Sequence, residues 1–206
     1  MKKSFSILEL LLSISLIIIL YSLFIPKYKK NELEDAVNRL TFYLKLTRYQ
    51  ALIDDKYSTD DELWYKKRWT LKFFRCRKDV GGFYYTIYSD KNNSGHPSKL
   101  DSLKDPLSGK NIYSSNFCKK DIENSKYTLL SKFYNVNDIS VSCNSTSSIG
   151  QLSFSKEGKV YSKLSNYENS SEDYEIKEPC TITIYHKNGE NKKVIIENET
   201  SYIKKI

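Results

Sequence analysis

Between Phe5 and Ile25 the chain runs FSILELLLSISLIIILYSLFI, 21 residues with one charge, Glu9. As a helix this run rises about 31 Å, close to the ~30 Å hydrocarbon core of a bilayer. It is therefore expected to cross a membrane once, which leaves the rest of the chain to form whatever stands beside that membrane. A carboxylate well inside such a run costs roughly 2.5–3.5 kcal/mol on insertion scales, so Glu9 calls for a partner or a task. Lys2 and Lys3 precede the run and Lys27, Lys29 and Lys30 follow it, so loop charge alone leaves the orientation open. A cleaved secretory signal fits poorly. Its apolar core is about 7–15 residues long and ends in a small-x-small site, which neither Tyr21-Ser22-Leu23 nor Phe24-Ile25-Pro26 supplies.

Beyond Pro26 the apolar residues change spacing. Leu33, Val37, Leu40, Leu44 and Ala51 recur at three-, four- and seven-residue steps, with charged and polar residues between them. The expectation is one long helix from Phe5 to about Ile53, kinked at Pro26, membrane-spanning over 5–25 and amphipathic over 26–55. From Trp64 onward the period becomes two. RWTLKFFRCRK and GGFYYTIYSD predict a pair of strands with a turn at Gly81-Gly82. Further strands are expected at DISVSC, GQLSFS, GKVYSKL, CTITIYHK, KKVIIEN and SYIKK, with hairpin signals at Glu157-Gly158 and Asn188-Gly189. KNNSGHPSKLDSLKDPLSGK is expected to be loop, and the acidic NYENSSEDYEIKEP an exposed one. The fold class is α+β: an N-terminal helix followed by a β-rich globular domain over 56–206.

The four cysteines, Cys76, Cys118, Cys143 and Cys180, all follow the apolar run, at spacings of 42, 25 and 37. No CxxC pair or histidine cluster suggests zinc. An even number beyond a membrane anchor points to two disulfides in an oxidising compartment. Three connectivities are open, and Cys76–Cys118 with Cys143–Cys180 is preferred.

The start of the chain, Ser4 then FSILEL and an apolar run, resembles the class III signal of type IV pilins and pseudopilins. That signal usually reads glycine, then Phe-Thr-Leu-Ile-Glu-Leu. Phe5 aligns with the first residue of the mature family member, Glu9 with its glutamate and Pro26 with a frequent proline. The resemblance implies a leader of residues 1–4, cut after Ser4 by a prepilin peptidase that also methylates the Phe5 amine. Serine stands where the family prefers glycine, which implies slower cleavage. It further implies an inner-membrane protein with its N-terminus cytoplasmic and its globular domain periplasmic, in which Glu9 neutralises the Phe5 amine of a neighbouring subunit.

Other stretches are similar to the H-type minor pseudopilins of type II secretion and to FimT-like minor pilins. LTRYQALIDD on the helix carries Arg48 and Ala51 in matching places. The strand pair ends in SDKNNSG, and the final hairpin in TSYIKK has Ser201 where relatives tend to carry glycine. Such proteins are low-abundance subunits that help to start a short inner-membrane filament, with other pseudopilins or pilins as partners. A polytopic membrane platform and a cytoplasmic assembly ATPase act on them. The family serves secretion, pilus or competence systems, and the sequence does not choose between these.

Asp90, Asn92, Ser94 and Asp101 fall at calcium-loop spacing, but two carboxylates and no flanking helices favour a tight polar turn over a metal site. Asp90-Lys91-Asn92-Asn93-Ser94 also fits a bacterial N-glycosylation sequon. The formal net charge of +8 falls to +6 once Lys2 and Lys3 are removed. Arg68, Lys72, Arg75 and Arg77 among aromatics, with Lys204 and Lys205 at the end, are candidate contacts to DNA phosphates and bases, although the Gly-Arg-x-Arg pattern of DNA-binding FimT-like minor pilins is absent. Strand alternation instead puts Trp69, Leu71 and Phe73 inward and Arg68, Thr70 and Lys72 on a solvated face. His96 and His186 are the only histidines, and no nucleophile motif, phosphate loop or dinucleotide fingerprint is present, so neither catalysis nor a cofactor is expected.

Overall fold

A computed structural model describes residues 6–24 and 31–206. It divides into two compact units, one ending at Asn31 and one running from Glu32 to Ile206. The first holds α1, Ile7–Phe24. The second begins with α2, Glu32–Ile53. The single long helix expected from Phe5 to Ile53 is therefore described as two helices in separate units, and Pro26 lies outside the described residues. α2 has its own start signal: Glu32, Glu34 and Asp35 fill its first turn, where the helix dipole favours negative charge.

α2 is the helical part of the globular unit. Leu33, Val37, Leu40, Leu44 and Ala51 are all buried, joined by Ala36, Tyr43 and Thr47. Each buried leucine or valine contributes about 1.5–3 kcal/mol relative to exposure. The stripe packs against strands of two four-stranded antiparallel sheets. The first has the order β2-β1-β4-β5, from β1 Trp69–Arg75, β2 Phe83–Tyr88, β4 Gly150–Phe154 and β5 Val160–Tyr161. The second has the order β3-β6-β7-β8, from β3 Val136–Val141, β6 Cys180–His186, β7 Asn191–Ile196 and β8 Ile203–Lys205. One apolar core runs through both sheets and α2.

The strands fall where alternation put them, although GKVYSKL contributes only Val160 and Tyr161. The β1–β2 hairpin pairs Arg75 with Phe83 and Thr70 with Tyr88. At its turn Gly82 has φ +96°, and a Cβ there would lie 2.7 Å from Ser131 Cβ, so only glycine lets the turn approach the short helix that carries Ser131. α3, Leu130–Tyr134, was not expected from the sequence; five residues are too few to show a period.

The solvated outer face is the main correction. Trp69, Leu71 and Phe73 do point inward, but Arg68 and Thr70 are buried as well and Lys72 is partly covered. The acidic loop is largely exposed, as expected, but its inner side closes over Arg68: Tyr65 donates its hydroxyl to Tyr167 O, Arg68 donates to Ser171 O (2.6 Å), and Ile176 is buried.

Both preferred disulfides are present, Cys76–Cys118 and Cys143–Cys180, closing loops of 42 and 37 residues. Each is expected to contribute about 2–4 kcal/mol by restricting the unfolded chain. In urea unfolding, Cys143→Ser/Cys180→Ser should lower the free energy of unfolding by that amount; an unchanged midpoint with an unchanged slope would contradict the assignment.

Candidate functional site

α1 is apolar on every side. Its large described side chains, Ile7 to Tyr21, are between 45 and 79% exposed, so none is sheltered within its own unit. Its serine hydroxyls follow a single rule: each bonds to the helix's own backbone. Ser13 donates to Glu9 O (2.8 Å), Ser15 to Leu12 O (2.9 Å) and Ser22 to Ile19 O (2.7 Å). Such a helix presents almost nothing that needs water.

The polar groups gather at its N-terminus. Ser6 Oγ accepts the Leu8 N–H (3.3 Å), while the Ser6 N–H donates to Glu9 Oε2 (3.0 Å). This is a capping box, which satisfies two otherwise orphaned backbone donors. It also places the Glu9 carboxylate at the positive end of the helix dipole. The spacing Ser6-x-x-Glu9 of this cap is legible in the sequence, beside the membrane cost of the carboxylate. Ser4 and Phe5, the expected cleavage and methylation residues, lie outside the described residues, as does Pro26. Among the described residues no helix is long and apolar enough to cross a membrane. The 18 residues of α1 rise about 27 Å, a little short of the ~30 Å core, and the expected ends of the span, Phe5 and Ile25, are not among those described.

In the globular unit the six basic residues that are candidate DNA contacts do not form one surface. Arg68 is 3% exposed, with its guanidinium 3.9 Å from the Tyr161 ring centre and 3.4 Å from Glu172 Oε1. Arg77 pairs with Asp79 (3.1 Å) and Lys204 with Glu197 (2.8 Å). Lys205 donates to Glu34 Oε1 (2.6 Å) and Asn38 Oδ1 (2.7 Å). Arg75 lies over the Phe83 ring, and Lys72 belongs to the partly covered sheet face. Lys204 and Lys205 are on β8, in the other sheet.

The Asp90 loop turns its oxygens inward. Asp90 Oδ2 accepts the Gly95 N–H (2.7 Å), Asp90 Oδ1 and Asn92 Oδ1 both accept the Ser94 N–H (3.2 and 3.1 Å), and Asp101 Oδ2 accepts Ser98 Oγ–H (2.6 Å). Among the described residues no group of carboxylates, histidines and cysteines is arranged to hold a metal ion. The tight polar turn accounts for the spacing.

Arg48 and Ser201, noted from the sequence for different reasons, meet. Arg48 Nε–H donates to Ser201 Oγ (2.5 Å) and Nη2–H to Thr200 O (3.1 Å), tying α2 to the turn before β8. Ser201 has φ +48°, a conformation in which glycine is unstrained, and its hydroxyl gives Arg48 a partner that glycine lacks. Comparison with protein families, with curated proteins and with solved structures finds no match to this chain.

A second tie between α2 and the second sheet is ionic. Glu34 pairs with Lys192 of β7 and Lys205 of β8. The hydrogen bond from Lys192, then that from Lys205, hold its carboxyl down from the ordinary 4.5 to about 2. The folded-state value lies below the unfolded one, so this stabilisation is complete above about pH 4.5 and is lost as the pH falls toward 2. Glu34→Gln should lower stability at pH 7 and flatten the loss between pH 4.5 and 2; an acid-unfolding profile identical to the parent's would contradict the pairing. Because the pair is partly exposed, the effect is expected to be modest.

Proposed function

We propose that this chain is a minor pseudopilin, a single-pass inner-membrane subunit that helps to initiate or cap a type IV pilus-like filament. The observation that carries the reading is α1: apolar on all sides, with its serine hydroxyls bonded internally and a capped, acidic N-terminus. Lipid, or a bundle of equivalent helices, is the surrounding such a surface favours. Two disulfides in the globular unit support an oxidising compartment, here the periplasm. A two-sheet domain built on an amphipathic helix supplies an adaptor surface.

Glu9 then serves twice. Its Oε2 closes the cap of its own helix, and its Oε1 is available to the Phe5 amine of a neighbouring subunit after leader removal. That pairing would neutralise two charges and set the axial register between subunits. The partners on this reading are other pilin-like subunits, a prepilin peptidase, and a membrane platform driven by a cytoplasmic ATPase. The DNA-binding reading has less support, because Arg68, Arg77, Lys204 and Lys205 already face carboxylates. An anchored enzyme has none from the residues present.

Co-expression with an active prepilin peptidase, followed by N-terminal sequencing, is expected to yield a chain that begins at N-methylated Phe5, with Ser4→Gly processed faster. A chain that still begins at Met1 in both versions would overturn the reading. Glu9→Leu is expected to be processed normally but to enter filaments at about one-tenth of the parent level, the effect of losing about 1.4 kcal/mol of pairing.

A further inference from the structure

On the outer face of the first sheet lies a recess of about 450 Å³, within the range of small-ligand sites. Its floor comes from β1, β2 and β4, where Lys72 stands between its cross-strand partners Thr86 and Gln151. Loops carrying Asp90, Ser147 and Lys163 form its walls. A larger cleft of about 540 Å³ lies against the Cys76–Cys118 bridge, but its mixed lining commits it to no chemistry.

The lining of the smaller recess is rich in donors. Lys66, Lys72 and Lys163 all line it, with the Lys72 and Lys163 ammonium groups over the Phe74 and Tyr174 rings (5.4 and 4.8 Å), and among the described residues none of the three has a carboxylate within ion-pair distance. Lys67 and Lys159, close in sequence to Lys66 and Lys163, are both paired. Gln151 and Tyr88 line the same space at 7 and 6% exposure, and the hydroxyl of Thr86, the cross-strand partner of Lys72, is buried without a hydrogen-bond partner among the described residues, where buried polar groups are ordinarily paired. The one carboxylate present, Asp90, is taken up by Ser94 and Gly95 N–H groups. Burial holds the Lys72 ammonium below the ordinary lysine range, with Asp90 opposing the shift, as expected of a cation that lacks a close counter-ion.

We infer that this recess binds a tetrahedral oxyanion, phosphate or sulfate, free or carried on a small organic group. Three ammonium groups, an amide and a phenol supply donors on several sides, which suits an acceptor-only ligand with four oxygens. The inference does not rest on the filament reading; it concerns a surface that the N-terminal helix does not supply.

The test is calorimetric titration of the purified full chain with inorganic phosphate and with sulfate, against acetate and chloride at equal ionic strength. Saturable binding of the tetrahedral anions, at least about tenfold tighter than acetate, is expected. Lys72→Met should weaken it at least tenfold, and Lys163→Gln, a loop change that spares the sheet, severalfold. Heat signals equal for all four anions, or undiminished in both variants, would show a general salt effect and overturn the site. A single-stranded oligonucleotide that binds where phosphate and sulfate do not would overturn it too, and would favour an extended nucleic-acid surface.

Discussion

A helix that is apolar on every side has no polar face to offer water, and that constraint organises the rest of the chain. α1 bonds its serine hydroxyls to its own carbonyls and places its one charge in a cap. It keeps no amphipathic stripe with which to build a core. The globular unit must therefore find its core elsewhere, and α2 provides it, with one buried face shared by strands of both sheets. Arg48 and Glu34 then fix α2 to the C-terminal strands, through Ser201 and through Lys192 and Lys205.

Local signals in the sequence carried far. Trp69, Leu71 and Phe73 alternate because one sheet face is apolar, and the buried positions of α2 follow the helical period. The two cysteine pairs join as preferred. What the sequence could not show depends on chain segments distant from one another. Arg68 looks like a surface cation until Ser171 and Glu172, more than a hundred residues later, close over it. Lys72 and Gln151 become neighbours only when β1 pairs with β4.

Two signals were present but outweighed. The acidic first turn of α2 marks a fresh helix start, which the continuous apolar pattern concealed. Ser6 and Glu9 have capping-box spacing, a local signal weaker than the membrane cost of a carboxylate. The two views of Glu9 are compatible, because a cap occupies one oxygen and a carboxylate has two.

On the proposed reading, α1 lies in lipid while the domain from Glu32 onward stands in the periplasm. Alkaline carbonate extraction of membranes from cells expressing the full chain, with protease added to intact spheroplasts, tests it most directly. The account expects the protein to stay in the membrane pellet and its disulfide-bonded domain to be accessible to external protease. Release into the carbonate supernatant, or a domain protected until the inner membrane is broken, would contradict it.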